Sequence, residues 1–313
     1  MGQFIDGRWV DEPLVKTAKS GEFQRKKVTF RNWIGEDPKY PAELNRYHLY
    51  VSHACPWAHR TIIFRKLKCL ENGIGLSVVN PIMGSNGWDF RTAYPGATGD
   101  KCHQAENLGL LYLKADSNYT GRVTVPVLWD TKTNSIVNNE SSEIIRMFNS
   151  SFNFLTNNTD DYYPAALRGE IDSINEMVYH TVNNGVYKAG FASTQSAYEA
   201  AVNALFATLD QLDHRLQDSR FLIGDSITEA DWRLFPTLVR FDAVYVNHFK
   251  CNLKRISDYR GLSRYLHELY WQPGIKETVH LNHIKDHYFK SHPSLNPKGI
   301  VPSGPTLDFL LAK

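Results

Sequence analysis

The chain has 313 residues, 42% hydrophobic and 22% charged, a balance that suits about two globular domains and excludes a disordered or collagen-like polymer. Lys and Arg number 35 against 33 Asp and Glu with no long block of one sign, so neither nucleic acid nor an anionic membrane is expected as a partner. No apolar run approaches the roughly 18 residues that span a bilayer, and the polar, acid-bearing start Met1–Gly7 fits neither a secretion signal nor a transit peptide, so a cytoplasmic protein is expected.

Residues 1–45 are drawn as an N-terminal extension. From Arg46 to Ser150 short β-like runs alternate with helical ones. Tyr47–Val51 reads as a strand, rich in aromatic and branched residues. Pro56–Leu70 reads as a helix, with Ile62, Ile63 and Leu67 on an apolar face and Arg60, Arg65, Lys66 and Lys68 on a wet one. Gly75–Val79 is a second strand, and the Gly/Pro/Ser-rich excursion over 81–102 is a long loop. Leu108–Ala115 is helical in pattern, Val123–Leu128 a strand interrupted by Pro126, Ser135–Val137 a short strand, and Glu140–Asn149 a helix. The order β-α-β-α-β-β-α, with proline at the start of the third strand, predicts an α/β, thioredoxin-like domain over 46–150.

From about Tyr162 strand signals nearly vanish, which predicts an all-α domain over 160–290. Ala197–Leu216 is amphipathic, with Ala201, Leu205, Leu209, Leu212 and Leu216 on one face. Thr228-Glu229-Ala230-Asp231 has the form of a capping box, a folding element that opens a helix through Trp232, Leu234, Leu238 and Phe241. Residues 291–313 hold four prolines and are expected to wrap the surface as an ordered tail.

The cysteines are Cys55, Cys69, Cys102 and Cys251, with no CxxC pair and no secretion signal, so neither a zinc knuckle nor a disulfide framework is expected. Cys55 differs from the rest. It stands between a predicted strand and a predicted helix, followed by Pro56, which a helix accepts in its first turn. A cysteine at that cap meets free amides and the positive helix end, which favour the nucleophilic thiolate. Ala58 occupies the position where a second cysteine would resolve a mixed disulfide, so the chemistry is monothiol and needs an external thiol such as glutathione. His53 and His59 flank the nucleophile, but a helix from Pro56 points His59 away from Cys55, so neither receives a catalytic role. His280, His283 and His287 recur at helical spacing with no acid or cysteine to complete a coordination shell. A packed histidine stripe is expected there, and no metal.

Cys55-Pro56-Trp57-Ala58-His59-Arg60-Thr61, the Val125-Pro126 step and Glu140-Ser141 resemble a glutathione transferase. Tyr187–Ala192, Arg240-Phe241-Asp242, and His292-Pro293 through Asn296–Pro302 narrow the resemblance to the Xi class, the omega-related glutathionyl-hydroquinone reductases. It covers nearly the whole chain. It implies a thioredoxin-like domain that binds glutathione as co-substrate, a helical domain that takes the aromatic hydroquinone conjugate, and a homodimer. For the glutathione site it implies Trp88 as an aromatic wall, Arg122, Val123, Thr124 and Val125 as the receiving strand, Pro126 as a cis-proline, and Glu140 with Ser141 for the γ-glutamyl end. For catalysis it implies Cys55 as nucleophile, Tyr187 as proton donor and acceptor, and Tyr245 with Tyr288 as groups that hold the thiolate. Two alternatives stay open: an omega-like thioltransferase or dehydroascorbate reductase using the same cysteine, and a non-catalytic glutathione- or ligand-binding scaffold.

Overall fold

A computed structural model describes residues 2–11, 20–23 and 28–311. In chain order it contains β1 (Gln3–Ile5), β2 (Arg8–Val10), β3 (Tyr47–Val51), α1 (Pro56–Leu67), β4 (Gly75–Val78), α2 (Leu108–Ala115), β5 (Val127–Asp130), β6 (Ser135–Asn138) and α3 (Ser141–Ser150). The helices α4 (Asn153–Thr156), α5 (Arg168–Val178), α6 (Gly185–Gly190), α7 (Gln195–Asp218), α8 (Glu229–Arg240), α9 (Val246–His248), α10 (Arg260–Tyr270) and α11 (Leu281–Ser291) follow. Two wider, π-type turns, Tyr179–Asn183 and Phe241–Tyr245, precede α6 and α9. Among the described residues no helix is long and apolar enough to cross a membrane.

The chain forms two compact units, each assembled from three separate stretches. Described residues of 1–14, 26–160 and 278–291 make the first, and those of 15–25, 161–277 and 292–313 the second. The boundaries drawn from sequence were consecutive; the observed ones are not.

The first unit is built on a mixed sheet of order β4-β3-β5-β6, in which β3 runs parallel to β4 and antiparallel to β5. Every residue of β3 and β5 is buried, as expected of strands covered on both faces. Helices α1 and α3 pack on each other, α3 through Ile144, Ile145, Met147 and Phe148. Arg46 grips Asp130 at the end of β5 with two parallel bonds, Nε to Oδ1 at 2.9 Å and Nη2 to Oδ2 at 2.6 Å. Within the N-terminal extension the described residues hold a small element. β1 and β2 form a hairpin through Asp6 and Gly7, whose φ values of 47° and 73° are the left-handed pair such a turn needs, and Phe4 exchanges backbone bonds with Gly121.

Helix α11, expected within the helical domain, belongs to this first unit because its polar side chains bond the 81–102 excursion. His283 Nε2 donates to the Pro95 carbonyl at 2.7 Å, His287 Nδ1 donates to the Pro81 carbonyl at 2.8 Å, and the Ser291 hydroxyl accepts the Met83 N–H at 3.0 Å. The carbonyl acceptors fix which imidazole nitrogen carries the proton. Two element boundaries also move. The strand expected over Val123–Leu128 is Val127–Asp130, because Pro126 offers no N–H to a ladder and the Thr124 backbone is bonded elsewhere. The helix expected to reach Leu70 ends at Leu67, where Cys69 turns the chain with φ 55°.

In the second unit α7 runs 24 residues and packs against α6 and α10. The capping-box residue Asp231 is fully buried, accepting the Thr228 N–H at 2.7 Å, the Leu222 N–H at 3.0 Å and the Tyr265 hydroxyl at 2.9 Å. It ties the start of α8 to α10 and acts as a folding element. In the tail Phe309 is buried and its carbonyl is bonded by Trp271 Nε1 at 3.1 Å.

Candidate active site

Cys55 follows β3 and is the N-cap of α1, with extended backbone (φ −77°, ψ 123°) and Pro56 at the first helical position. Its carbonyl accepts the first helical bond, from His59 N–H at 3.0 Å. The first-turn amides of a helix have no intrahelical acceptor and carry the positive dipole end, and the cap residue stands against them. The cysteine is half-buried, and its Sγ lies 3.6 Å from the Val125 carbonyl oxygen. The Val125-Pro126 peptide is cis.

The stretch Arg122–Val125 is held by two tyrosines. The Tyr119 hydroxyl donates to the Arg122 carbonyl at 2.9 Å, and the Tyr112 hydroxyl donates to the Thr124 carbonyl at 2.9 Å. Thr124 N–H returns a bond to Tyr112 at 3.3 Å, so both backbone groups of Thr124 are engaged. Val123 and Val125 are buried, Arg122 and Thr124 half-buried. At the start of α3, Glu140 is the N-cap and its carboxylate accepts Ser142 N–H at 3.1 Å. Ser141, the first helical residue, is 3% exposed, yet its Oγ has no hydrogen-bond partner, an orphaned donor at a helix N-terminus that suits an anionic ligand group. Trp88 is buried, its ring stacked on His287 at 4.8 Å, and Tyr288 on α11 is buried as well.

The first unit therefore contains Cys55, Trp88, Arg122, Val123, Thr124, Val125, Glu140, Ser141 and Tyr288, while Tyr187 and Tyr245 belong to the second. There Tyr187 on α6 is half-buried and Tyr245, which ends the second π-type turn, is fully buried. Around Tyr187 stand Phe249 at 5.4 Å, Phe191 and Tyr245 at 6.3 Å and Phe23 at 6.4 Å between ring centroids. Phe249 stacks on Tyr245 at 5.5 Å with planes 7° apart. This is a wall of aromatic faces with one half-buried tyrosine, suited to a flat ring.

Burial pushes the thiols of Cys102 and Cys251 up, against their ionisation, and Cys69 is exposed beyond the end of α1. The His59 ring bonds Thr278 Oγ1 at 2.8 Å, and the rings of His53 and His280 stack 3.7 Å apart. Among the described residues no group of three or more His, Cys, Asp or Glu side chains is placed to hold a metal ion. Three residues near the site escaped the sequence reading: Tyr112, Asn139 and Phe249. Asn139 precedes Glu140-Ser141, and that adjacency was the available signal. Tyr112 and Phe249 sit in apolar patterns, where an aromatic looks like packing.

The glutathione S-transferase N-terminal domain family matches residues 54–151, and the C-terminal domain family residues 195–268. The chain is 55% identical to the glutathionyl-hydroquinone reductase YqjG of Escherichia coli, over 98% of this chain and 96% of that protein. It resembles the glutathione-bound structure of YqjG with TM-score 0.91 and 53% identity, covering 98% of this chain and 97% of that one. It resembles the glutathione-S-transferase Xi of Phanerochaete chrysosporium with TM-score 0.91 and 56% identity, covering 93% and 95%.

Proposed function

The chain belongs to the glutathione transferase superfamily, in its Xi class, and from that premise we propose that it reduces glutathionyl-hydroquinones to hydroquinones with release of oxidised glutathione. One observation carries the reading: Cys55 is the N-cap residue of a proline-started helix, its Sγ 3.6 Å from the carbonyl of the residue before cis-Pro126, with alanine where a resolving cysteine would be.

Glutathione occupies the first unit in this reading. Val125 offers its backbone to the cysteinyl unit, Arg122, Val123 and Thr124 shape the receiving strand, and Trp88 walls the pocket. The γ-glutamyl carboxylate takes the start of α3, where Ser141 Oγ lacks a partner and Glu140 caps the helix.

The Cys55 thiolate attacks the sulfur that joins glutathione to the aromatic ring. An S–S bond forms to glutathione as the aryl C–S bond breaks, and its electron pair passes to the ring carbon, which takes a proton. Tyr187 supplies that proton in the proposal. The half-buried place of Tyr187 within an aromatic wall supports the role, whereas Tyr245 and Tyr288, both buried, act in the proposal by holding the thiolate. A second glutathione thiolate then attacks the mixed disulfide, releasing oxidised glutathione and restoring Cys55. The proposal extends, by class, to a cytoplasmic homodimer.

Cys55→Ser tests the reading. Turnover of glutathionyl-menadione is expected to vanish while glutathione still binds, and retained turnover would remove Cys55 from the chemistry.

A further inference from the structure

We propose that Tyr112 is a positioning residue of the glutathione site, its hydroxyl clamping the extended segment before Val125 to the residues that enter α3. The proposal rests on glutathione occupying the first unit as described above. A phenol has one donor and two acceptor positions. Here the O–H donates to the Thr124 carbonyl at 2.9 Å, and the oxygen accepts Asn139 Nδ2 at 3.1 Å and Thr124 N–H at 3.3 Å. All three positions are used at one junction. Tyr112 is fully buried, and that burial pushes its ionisation upward, so the hydroxyl keeps its proton at neutral pH.

The geometry matters because of what lies one residue further along each chain segment. In an extended chain, neighbouring residues direct their backbone groups to opposite sides. The Thr124 pair faces Tyr112, and the Val125 carbonyl is directed to Cys55 Sγ. Asn139 is followed by the cap Glu140 and by Ser141, whose Oγ has no partner. One hydroxyl therefore sets the spacing between the backbone that takes the cysteinyl unit and the helix start that takes the γ-glutamyl carboxylate. Without it, the Thr124 N–H and carbonyl and an Asn139 amide lose their partner and the segment must rotate to find others.

Tyr112→Phe tests this with the ring kept, since the ring packs on Tyr119 at 4.9 Å and Phe30 at 5.9 Å. The dissociation constant for glutathione, measured by calorimetry, is expected to rise about five-fold on loss of this bond. kcat with glutathionyl-menadione at saturating glutathione is expected to change less than about two-fold, since the hydroxyl touches no reacting atom. Asn139→Ala should weaken glutathione in the same direction, and the double variant should be no weaker than the worse single one, because both cut one network. Unchanged glutathione affinity in Tyr112→Phe, additive effects in the double variant, or a parallel loss of kcat and affinity with a lowered melting temperature would each overturn the proposal. A wild-type protein that binds glutathione but reduces no conjugate, with Tyr112→Phe still weakening that binding, would sink the reductase reading and leave the positioning role standing.

Discussion

A thiol reacts as its anion, so the value of Cys55 lies in the helix end it caps and in the groups that complete the transfer. Tyr187 is the most accessible of the three tyrosines assigned to catalysis, and ring faces of Phe249 and Phe191 stand beside it. Tyr187→Phe should lower kcat with glutathionyl-menadione about 100-fold, the scale of a lost general acid, and leave the glutathione dissociation constant within about two-fold. Steady-state kinetics beside a binding titration separates the two, and equal losses would count against a proton role. Cys55 carries a local signal in the sequence, proline after a cap, whereas Pro126, Glu140 and Ser141 entered as site residues through the family resemblance. Tyr112 carries no such signal. Its partners are a backbone brought near by the fold and an asparagine far along the chain, and periodicity sees only an aromatic on an apolar helix.

The end of α6 packs closely on Phe249. A Cβ built on Gly190, at the end of α6, would stand 2.2 Å from both Cγ and Cδ1 of Phe249, the ring that stacks on Tyr245. Glycine to alanine inside a helix ordinarily stabilises by about 0.8 kcal/mol. At this position the overlap reverses the sign, and Gly190→Ala should destabilise by about 2 kcal/mol, the scale of an overpacked core. As Phe249 shifts, the Michaelis constant for the aromatic conjugate should rise while alkylation of Cys55 by iodoacetamide keeps its rate; a stabilised variant with unchanged kinetics would show that the ring gives way freely. Element order was readable from β3 to α3, whereas the β1–β2 hairpin was not read and Arg60, expected on the wet face of α1, is buried. The valines at 123–128 look like a ladder in sequence, but the Thr124 amide and carbonyl bond Tyr112 instead.

Acid should weaken the whole fold in two successive windows. Desolvation pushes the buried His48 imidazole from 6.5 to about 4, so the folded state resists a proton that the unfolded chain accepts, and stability erodes as pH falls through that interval. Asp130 acts lower down. Burial favours its neutral form, but bonds from Arg46, the Lys132 N–H and Thr133 outweigh burial and hold the carboxyl below its ordinary 3.8. Its contribution is complete above that value and is lost as pH drops through the depressed one. Asp130→Asn should cost about 3 kcal/mol at pH 7, as for a broken buried ion pair, and flatten the melting-temperature curve below about pH 4. A curve parallel to wild type in that range would discount the pair. At this scale the sequence misled most, because α11 was assigned by its helical neighbours in the chain, while its histidines and serine bond carbonyls and an amide of the 81–102 loop. Those three anchors give the loop an unusual standing. A stretch without strand or helix is ordinarily where a protease first nicks a protein, but trypsin should reach Arg91 and Lys101 only after α11 lifts away. Replacing His283 and His287 together by alanine should turn the loop into the earliest cleavage point of the molecule.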